Sequence, residues 1–299
     1  MRHLVPIAAI ASCLMIGGAN AEDGARAYFL LPAGTNDFEL TATYVYTQLN
    51  GTIVDSATLT PSYRHTFDLM GDSATLLIGL PVGALSGTIH TPFLDFPAST
   101  DPAQGDFFIG GTLGLIGAPA LSPMEYAQYQ AGLQVSVSTR LFLPTGDYDS
   151  SRPLSLGGNR WSLQTNLPIS YVLGGSLVNP QLTTLEIMPS VQIFGDNPDS
   201  PGSHAVTSQA PLYGLEGHVT HNFNPMIWVS ADAYGLLGGE TTVGGVAQGD
   251  SQQSVSVGGT LGLTFSPSFA VRMSYDQKVY SKAPGSAGST AMATAAFLF

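Results

Sequence analysis

The stretch EGHVTH, residues 216–221, sets His218 and Thr220 two positions apart. On an extended strand that spacing places both on one face. An imidazole beside a hydroxyl is the start of a base-and-nucleophile pair. A hydrolase also needs a group that orients the imidazole and donors for the developing oxyanion. Threonine is a poor substitute for serine in that role, and no G-x-S-x-G occurs in the chain. His65, His90, His204 and His221 have no fixed spacing to an acid. His90 and His204 fall at strand ends or in loops near aspartates, the other place where a hydrolytic site could form. Asp147 and Asp149 offer oxygen ligands to calcium from one loop, but their spacing does not match a calcium loop. No phosphate loop, dinucleotide fingerprint or metal-binding helix is present. The expectation is a chain with no catalytic residue, no metal and no cofactor.

A larger set of ionisable residues shares one property. Arg64, Asp68, Arg140, Glu186, Glu216, His218, Asp232, Arg272, Asp276 and Lys278 each fall on the polar parity of an alternating stretch. Two readings compete for them. They pair with one another and fill an interior, or they line a solute path and set its selectivity.

The elements that must hold these residues are strands. In GLQVSVSTRLFLPTGDYD (132–149), Leu133, Val135, Val137, Thr139, Leu141 and Leu143 share one parity, and Gln134, Ser136, Ser138 and Arg140 share the other. Twelve such stretches of roughly ten residues, the length of a tilted membrane strand, are expected. They lie near 38–48, 57–68, 73–88, 106–117, 129–143, 161–173, 183–194, 211–223, 226–237, 253–265, 268–280 and 290–299. Pro61, Pro81, Pro168 and Pro189 fall inside them and count against central strands, because proline cannot donate to a ladder. They are expected to mark bulges or strand ends. The connections alternate in length. Short ones lie at 69–72, 223–225 and 266–268, with two intermediate ones near 118–128 and 174–182. Long ones lie at 91–106, 144–160, 195–209 and 238–252, with middling ones near 49–56 and 281–289. In SPMEYAQYQ (122–130), Ser122 and Glu125 have the spacing of a capping box on a short helix.

The apolar stripes could face a protein core or lipid. Charged residues make up 10% of the 299 residues, against roughly 25% in ordinary soluble domains. A net charge of −12 excludes a nucleic-acid partner, which needs lysine and arginine. Residues 1–21 read as a secretory leader: Arg2 and His3, an apolar run from Leu4 to Ile16, then Ala19-Asn20-Ala21. The single cysteine, Cys13, falls inside that leader, so disulfides and thiolate metal sites are excluded from the mature chain. No later run is long and apolar enough for a membrane helix. A chain of this kind enters a membrane as a closed barrel. Long loops at one end, short turns at the other and a terminal Phe299 favour lipid over a core. Tyr148 and Trp161 are expected at the membrane–water interface.

Five segments carry a family resemblance: ARAYFLLPAGTND (25–37), FLPTGDYDSS (142–151), GGNRWSLQTNL (157–167), PLYGLEGHVTHNF (211–223) and IWVSADAYGLLGGETTVGGV (227–246). Together they resemble the outer-membrane proteins linked to the meta pathway of phenol degradation. The resemblance implies an outer-membrane β-barrel concerned with passage of small molecules, aromatic ones among them. It carries no binding residues over to this chain.

The expected fold is all-β, a transmembrane antiparallel up-and-down barrel of about twelve strands over residues 22–299, in the outer membrane of a Gram-negative cell. The expected function is a passive or facilitated channel. The candidate lumen residues are Arg64, Arg140, Glu186, Glu216, His218, Asp232, Arg272, Asp276 and Lys278. Expected partners are membrane lipid, a small-molecule solute and the barrel-insertion machinery. A plugged structural or surface-interaction barrel is the first alternative, and a barrel hydrolase the second.

Overall fold

The computed structural model describes residues 23–91, 93–283 and 285–299. The expected leader, with Cys13, lies outside the described residues.

Twelve staves close into one antiparallel barrel. The first are β1 (Asn36–Leu49), β2 (Thr52–Leu69) and the pair β3 (Asp72–Gly79) and β4 (Val82–Ile89). The fourth stave is built of β5 (Phe96–Ser99), β6 (Ala103–Gln104) and β7 (Phe108–Ile116). After the helix α1 (Pro123–Gln128) come β8 (Leu133–Phe142), the pair β9 (Ser162–Asn166) and β10 (Ile169–Leu173), and β11 (Thr183–Phe194). A loop strand β12 (Thr207–Gln209) precedes β13 (Leu212–Asn224) and β14 (Ile227–Gly238). Two more loop strands, β15 (Thr241–Val243) and β16 (Val246–Ala247), join β12 in a small separate sheet. The last staves are β17 (Gln252–Ser266), β18 (Phe269–Ser281) and β19 (Ala287–Leu298). β1 pairs with β19 from Asp37↔Leu298 to Gln48↔Ala287, so the first and last staves close the ring.

Side-chain burial is inverted relative to a soluble sheet. On β8, Leu133 is 46% exposed while Gln134 is 6% exposed. Tyr171, Leu185, Leu215, Val219, Val257 and Met273 are likewise exposed, while Thr66, Gln164, Thr184, Gln192, Thr220 and Thr294 are buried. Apolar groups outside and hydrogen-bonding groups inside suit a cylinder whose outer solvent is hydrocarbon. At the end where the chain's first and last strands meet, Phe38, Phe297, Phe269 and Phe265 form a continuous row of rings, with centroids 6.4, 4.9 and 5.5 Å apart. An aromatic girdle of this kind marks a membrane interface. The Phe299 and Asn36 backbones exchange hydrogen bonds of 2.8 and 2.9 Å and tie the last residue to the first strand.

The prolines divide into two matched pairs. Pro81 separates β3 from β4, and Pro168 separates β9 from β10. Pro61 and Pro189 stand inside β2 and β11, opposite those breaks. The Leu80 N–H donates to the Pro61 carbonyl at 3.1 Å, and the Leu167 N–H donates to the Pro189 carbonyl at 2.9 Å. In an antiparallel ladder a residue's N–H and C=O point to the same neighbour. The donor each in-strand proline lacks would therefore point at Leu80 or Leu167, the last residue before the break, and the pair there keeps only the bond the leucine donates.

Two outer connections are shorter than the sequence pattern predicts. Residues 49–56 reduce to a tight turn at Asn50 and Gly51, both at positive φ, the primed turn geometry that matches strand twist. The 91–106 stretch contains β5 and β6, which pair with β4. The capping box on α1 is present. Ser122 N–H donates to Glu125 at 2.9 Å and the Glu125 N–H returns to the Ser122 hydroxyl at 3.4 Å.

Candidate functional site

Residues 23–35 do not lead directly into β1. They fold back inside the barrel, and most of the inward-facing charges hold them there. Arg140 donates to the Asp23 carboxylate at 2.8 Å. Tyr28 and Asn166 donate to the same carboxylate at 2.7 and 3.1 Å. Glu216 accepts the Asp23 and Gly24 N–H groups, both at 3.4 Å. Glu186 accepts the Arg26 N–H at 2.9 Å, while the Arg26 guanidinium reaches Thr220 at 2.7 Å and covers the Trp228 ring at 4.4 Å. Arg64 donates to the Ala27 carbonyl and Arg272 to the Ala25 carbonyl, each at 3.0 Å. Arg64 also bridges Asp37 at 3.4 Å and Glu39 at 3.3 Å. Below this polar grip, Leu30 packs into an apolar cluster with Ala118, Ala131, Val172, Leu177 and Leu182, joined by Tyr126 of α1. The segment is thus anchored by charge at its start and by burial of apolar surface at its end.

The nine candidates sort into three groups. Arg64, Arg140, Glu186, Glu216 and Arg272 contact the inserted segment. His218 and Asp232 form a buried pair at 2.8 Å, with Thr260 donating to Asp232 at 2.6 Å and Ser230 donating to it as well. The other ring nitrogen of His218 faces Glu216 at 3.4 Å, not the hydroxyl of Thr220. Thr220 instead meets Thr184 at 2.6 Å and Arg26. Asp276 and Lys278 lie toward the opposite end, where they line a smaller cavity with Asp250 and Ser286. Asp68 is an exception to the sequence expectation. It is exposed and accepts the Gly71 N–H at 2.7 Å, fixing a hairpin turn rather than facing the lumen.

The His218–Asp232 pair carries a stability prediction. His218→Ala leaves the buried carboxylate with hydroxyl donors alone, a loss of about 2–3 kcal/mol. Heating the folded barrel in detergent and following its gel migration should show a lower unfolding midpoint than wild type.

Sequence reasoning missed Asp23, Arg26, Tyr28 and Asp106. A signal for the inserted segment did exist. The candidate cations fall on the second, fifth and eleventh staves, and the anions, Asp276 apart, on the seventh to ninth. Charges on opposite walls need something between them, and Asp23 and Arg26 carry one of each sign.

Asp106 organises the outer mouth. Its two carboxylate oxygens accept the Gly146 and Gly158 N–H groups, both at 2.9 Å. These glycines are the neck of the 143–161 loop. A side chain on Gly146 would meet Gly157 Cα and the Gly105 backbone at 2.7 Å, so the neck closes only without one. The closed loop sends Leu154 and Leu156 into the mouth against Val54, Leu85 and Ile89. Asp147 and Asp149 both pair with Arg152, at 3.3 and 2.9 Å. Arg160 packs over Phe194 at 4.6 Å and reaches Gln209. Burial pulls its guanidinium down to about 10, and nearby Asp106 and Asp196 oppose that shift. Tyr148 does not sit in the interface as expected. It donates to the Asp199 carbonyl at 2.6 Å and ties this loop to the next one. Trp161 is exposed on the outer wall.

Between the inserted segment and the mouth lies a cavity of about 210 Å³. Leu77, Pro81, Phe108, Phe142 and Leu156 form one wall. Threonines 41, 43, 58, 60 and 294 form the other, with Glu39, Arg64 and Arg272, while Arg140 stands beside Phe142 on the apolar side.

The family model described as "Putative MetA-pathway of phenol degradation" matches residues 31–292. No curated protein matches the sequence. Among solved structures, the chain is similar to an outer membrane channel from Pseudomonas putida F1, with a TM-score of 0.75 and 18% identity over 92% of this chain and 99% of that one. It is also similar to the translocator domain of the autotransporter NalP from Neisseria meningitidis, with a TM-score of 0.50 and 7% identity over 96% of each chain. At these identities the likeness is one of fold: a closed outer-membrane barrel.

Proposed function

Because the chain belongs to the family described by the MetA pathway of phenol degradation, we propose that it is an outer-membrane channel for small molecules with an apolar body, held shut at rest by its own residues 23–35. The observation that carries this is the cavity above the segment, large enough for one small molecule and walled on one side by Phe108, Phe142 and Leu156. Sites for small organic molecules are of this kind, mostly apolar with a few placed polar groups. Passage would need no bond to form or break, and the inward-facing charges would act through the segment they hold. Residues 1–21 are its leader in this proposal, and the barrel-insertion machinery its partner during assembly.

The inserted segment equally favours a second reading, a permanently plugged barrel with a structural or surface role. Swelling of protein-loaded liposomes separates the two. A channel admits benzyl alcohol and other small ring compounds faster than sugars. Swelling no faster than in protein-free liposomes for every solute would support the plugged barrel. Turnover of lipid or peptide by the purified protein, lost in His218→Ala or His204→Ala, would instead support a hydrolase.

A further inference from the structure

The cavity above the inserted segment is chemically two-sided. Three guanidiniums line it, from Arg64, Arg140 and Arg272, against the carboxylates of Asp23 and Glu39. Asp23 is taken by Arg140, Glu39 and Asp37 are taken by Arg64, and Asp37 bears on Arg272 only from beyond ion-pair distance. Among the described residues, no carboxylate oxygen lies within the 4.0 Å of an ion pair from Arg272. Its one hydrogen bond among them goes to the neutral carbonyl of Ala25. A guanidinium offers five donors in a fork that matches a carboxylate, and among the described residues Arg272 makes no direct ion pair that would occupy that fork. Arg272 stands on the eleventh stave. Phe108 and Phe142 stand on the fourth and fifth, close to half a turn around the barrel. The two walls therefore offer a cationic pole facing an apolar one.

We infer that this cavity is a binding site for a small carboxylic acid with an apolar body, its carboxylate on Arg272 and its ring or chain against Phe108, Phe142 and Leu77. The size agrees. A dry engineered cavity of about 150 Å³ holds benzene, and this one, at about 210 Å³, has room for a ring with a substituent. Arg140 stacks on the Phe108 ring at 5.2 Å and is engaged with Asp23, so Arg272 is the cation left for the ligand. This inference rests on the channel proposal in taking the cavity to lie on the solute's route.

Equilibrium dialysis of radiolabelled benzoate and benzyl alcohol at pH 7, on the full barrel in lipid nanodiscs with empty discs as the blank, tests it. Benzoate should bind saturably at one site, at least about tenfold more tightly than benzyl alcohol, the factor that 1.4 kcal/mol supplies. Arg272→Gln should remove that difference, and Arg272→Lys should restore part of it. Met292→Trp, which fills the cavity from the twelfth stave, should weaken both ligands. Equal binding of the two compounds by the wild type would overturn the inference, as would benzoate binding unchanged in Arg272→Gln. Liposome swelling reads the channel proposal separately. Swelling together with equal dialysis binding of the two compounds sinks this inference alone, and benzoate binding without swelling sinks the channel alone.

Discussion

Arg140→Gln should open the barrel. In planar bilayers the variant is expected to pass current through most of the recording, where the wild type stays predominantly closed. Arg140 and Asp23 meet at 2.8 Å with side chains 13% and 9% exposed, so little solvent screens the pair. Removing the cation leaves the Asp23 carboxylate inside the barrel, close to Glu216, whose carboxylate already accepts the Asp23 N–H. Breaking a buried pair by deleting one partner costs about 3–5 kcal/mol. A loss of about 3 kcal/mol shifts the docked-to-undocked ratio by on the order of a hundredfold. The cost comes from the stranded charge, so removing that charge too should reverse much of the effect. The double variant Asp23→Asn with Arg140→Gln is expected to close more often than Arg140→Gln alone. Equal open fractions in wild type and Arg140→Gln would show that the segment is held by its apolar end, around Leu30 and Leu182.

Asp106→Ala should free the 143–161 loop without unfolding the wall beneath it. The two glycine N–H groups each donate to an ionised oxygen, and such bonds contribute about 1.5–3 kcal/mol apiece. Without them the neck has no acceptor, and Leu154 and Leu156 leave the mouth. Hydrogen exchange at Gly146 and Gly158 should accelerate strongly, and thermolysin should cut beside Leu154 or Leu156 in the variant while sparing wild type. Asp106→Asn keeps one carbonyl acceptor and should fall between the two. A loop as protected in Asp106→Ala as in wild type would assign the closure to the apolar contacts with Val54, Leu85 and Ile89.

The barrel was legible because its signal is local. A period of two survives in β8 and β18 whatever the distant chain does, and the strand windows agree with the structure to within a few residues at most ends. Low charge content then decided which side of the wall met water. Within a single strand a proline reads as a defect. Each becomes intelligible only beside its neighbour, Pro61 against Pro81 and Pro189 against Pro168. The inserted segment and the Asp106 clasp were hidden for the same reason. Asp23 meets Arg140 across 117 positions and Glu216 across 193, and Asp106 reaches Gly158 across 52. Periodicity carries no information about such partners. The PTGDYD and GGNRW motifs were visible, but their purpose was not, because the residue that joins them lies on a different stave.

The inserted segment also dates its own docking during biogenesis. Its partners Arg64, Arg140, Glu186, Glu216 and Arg272 belong to staves spread around the whole circumference. They converge on one point only after β1 and β19 have zipped together. The complete set of anchors for residues 23–35 therefore exists only in the sealed cylinder, and full docking of the segment is expected to follow closure of that seam.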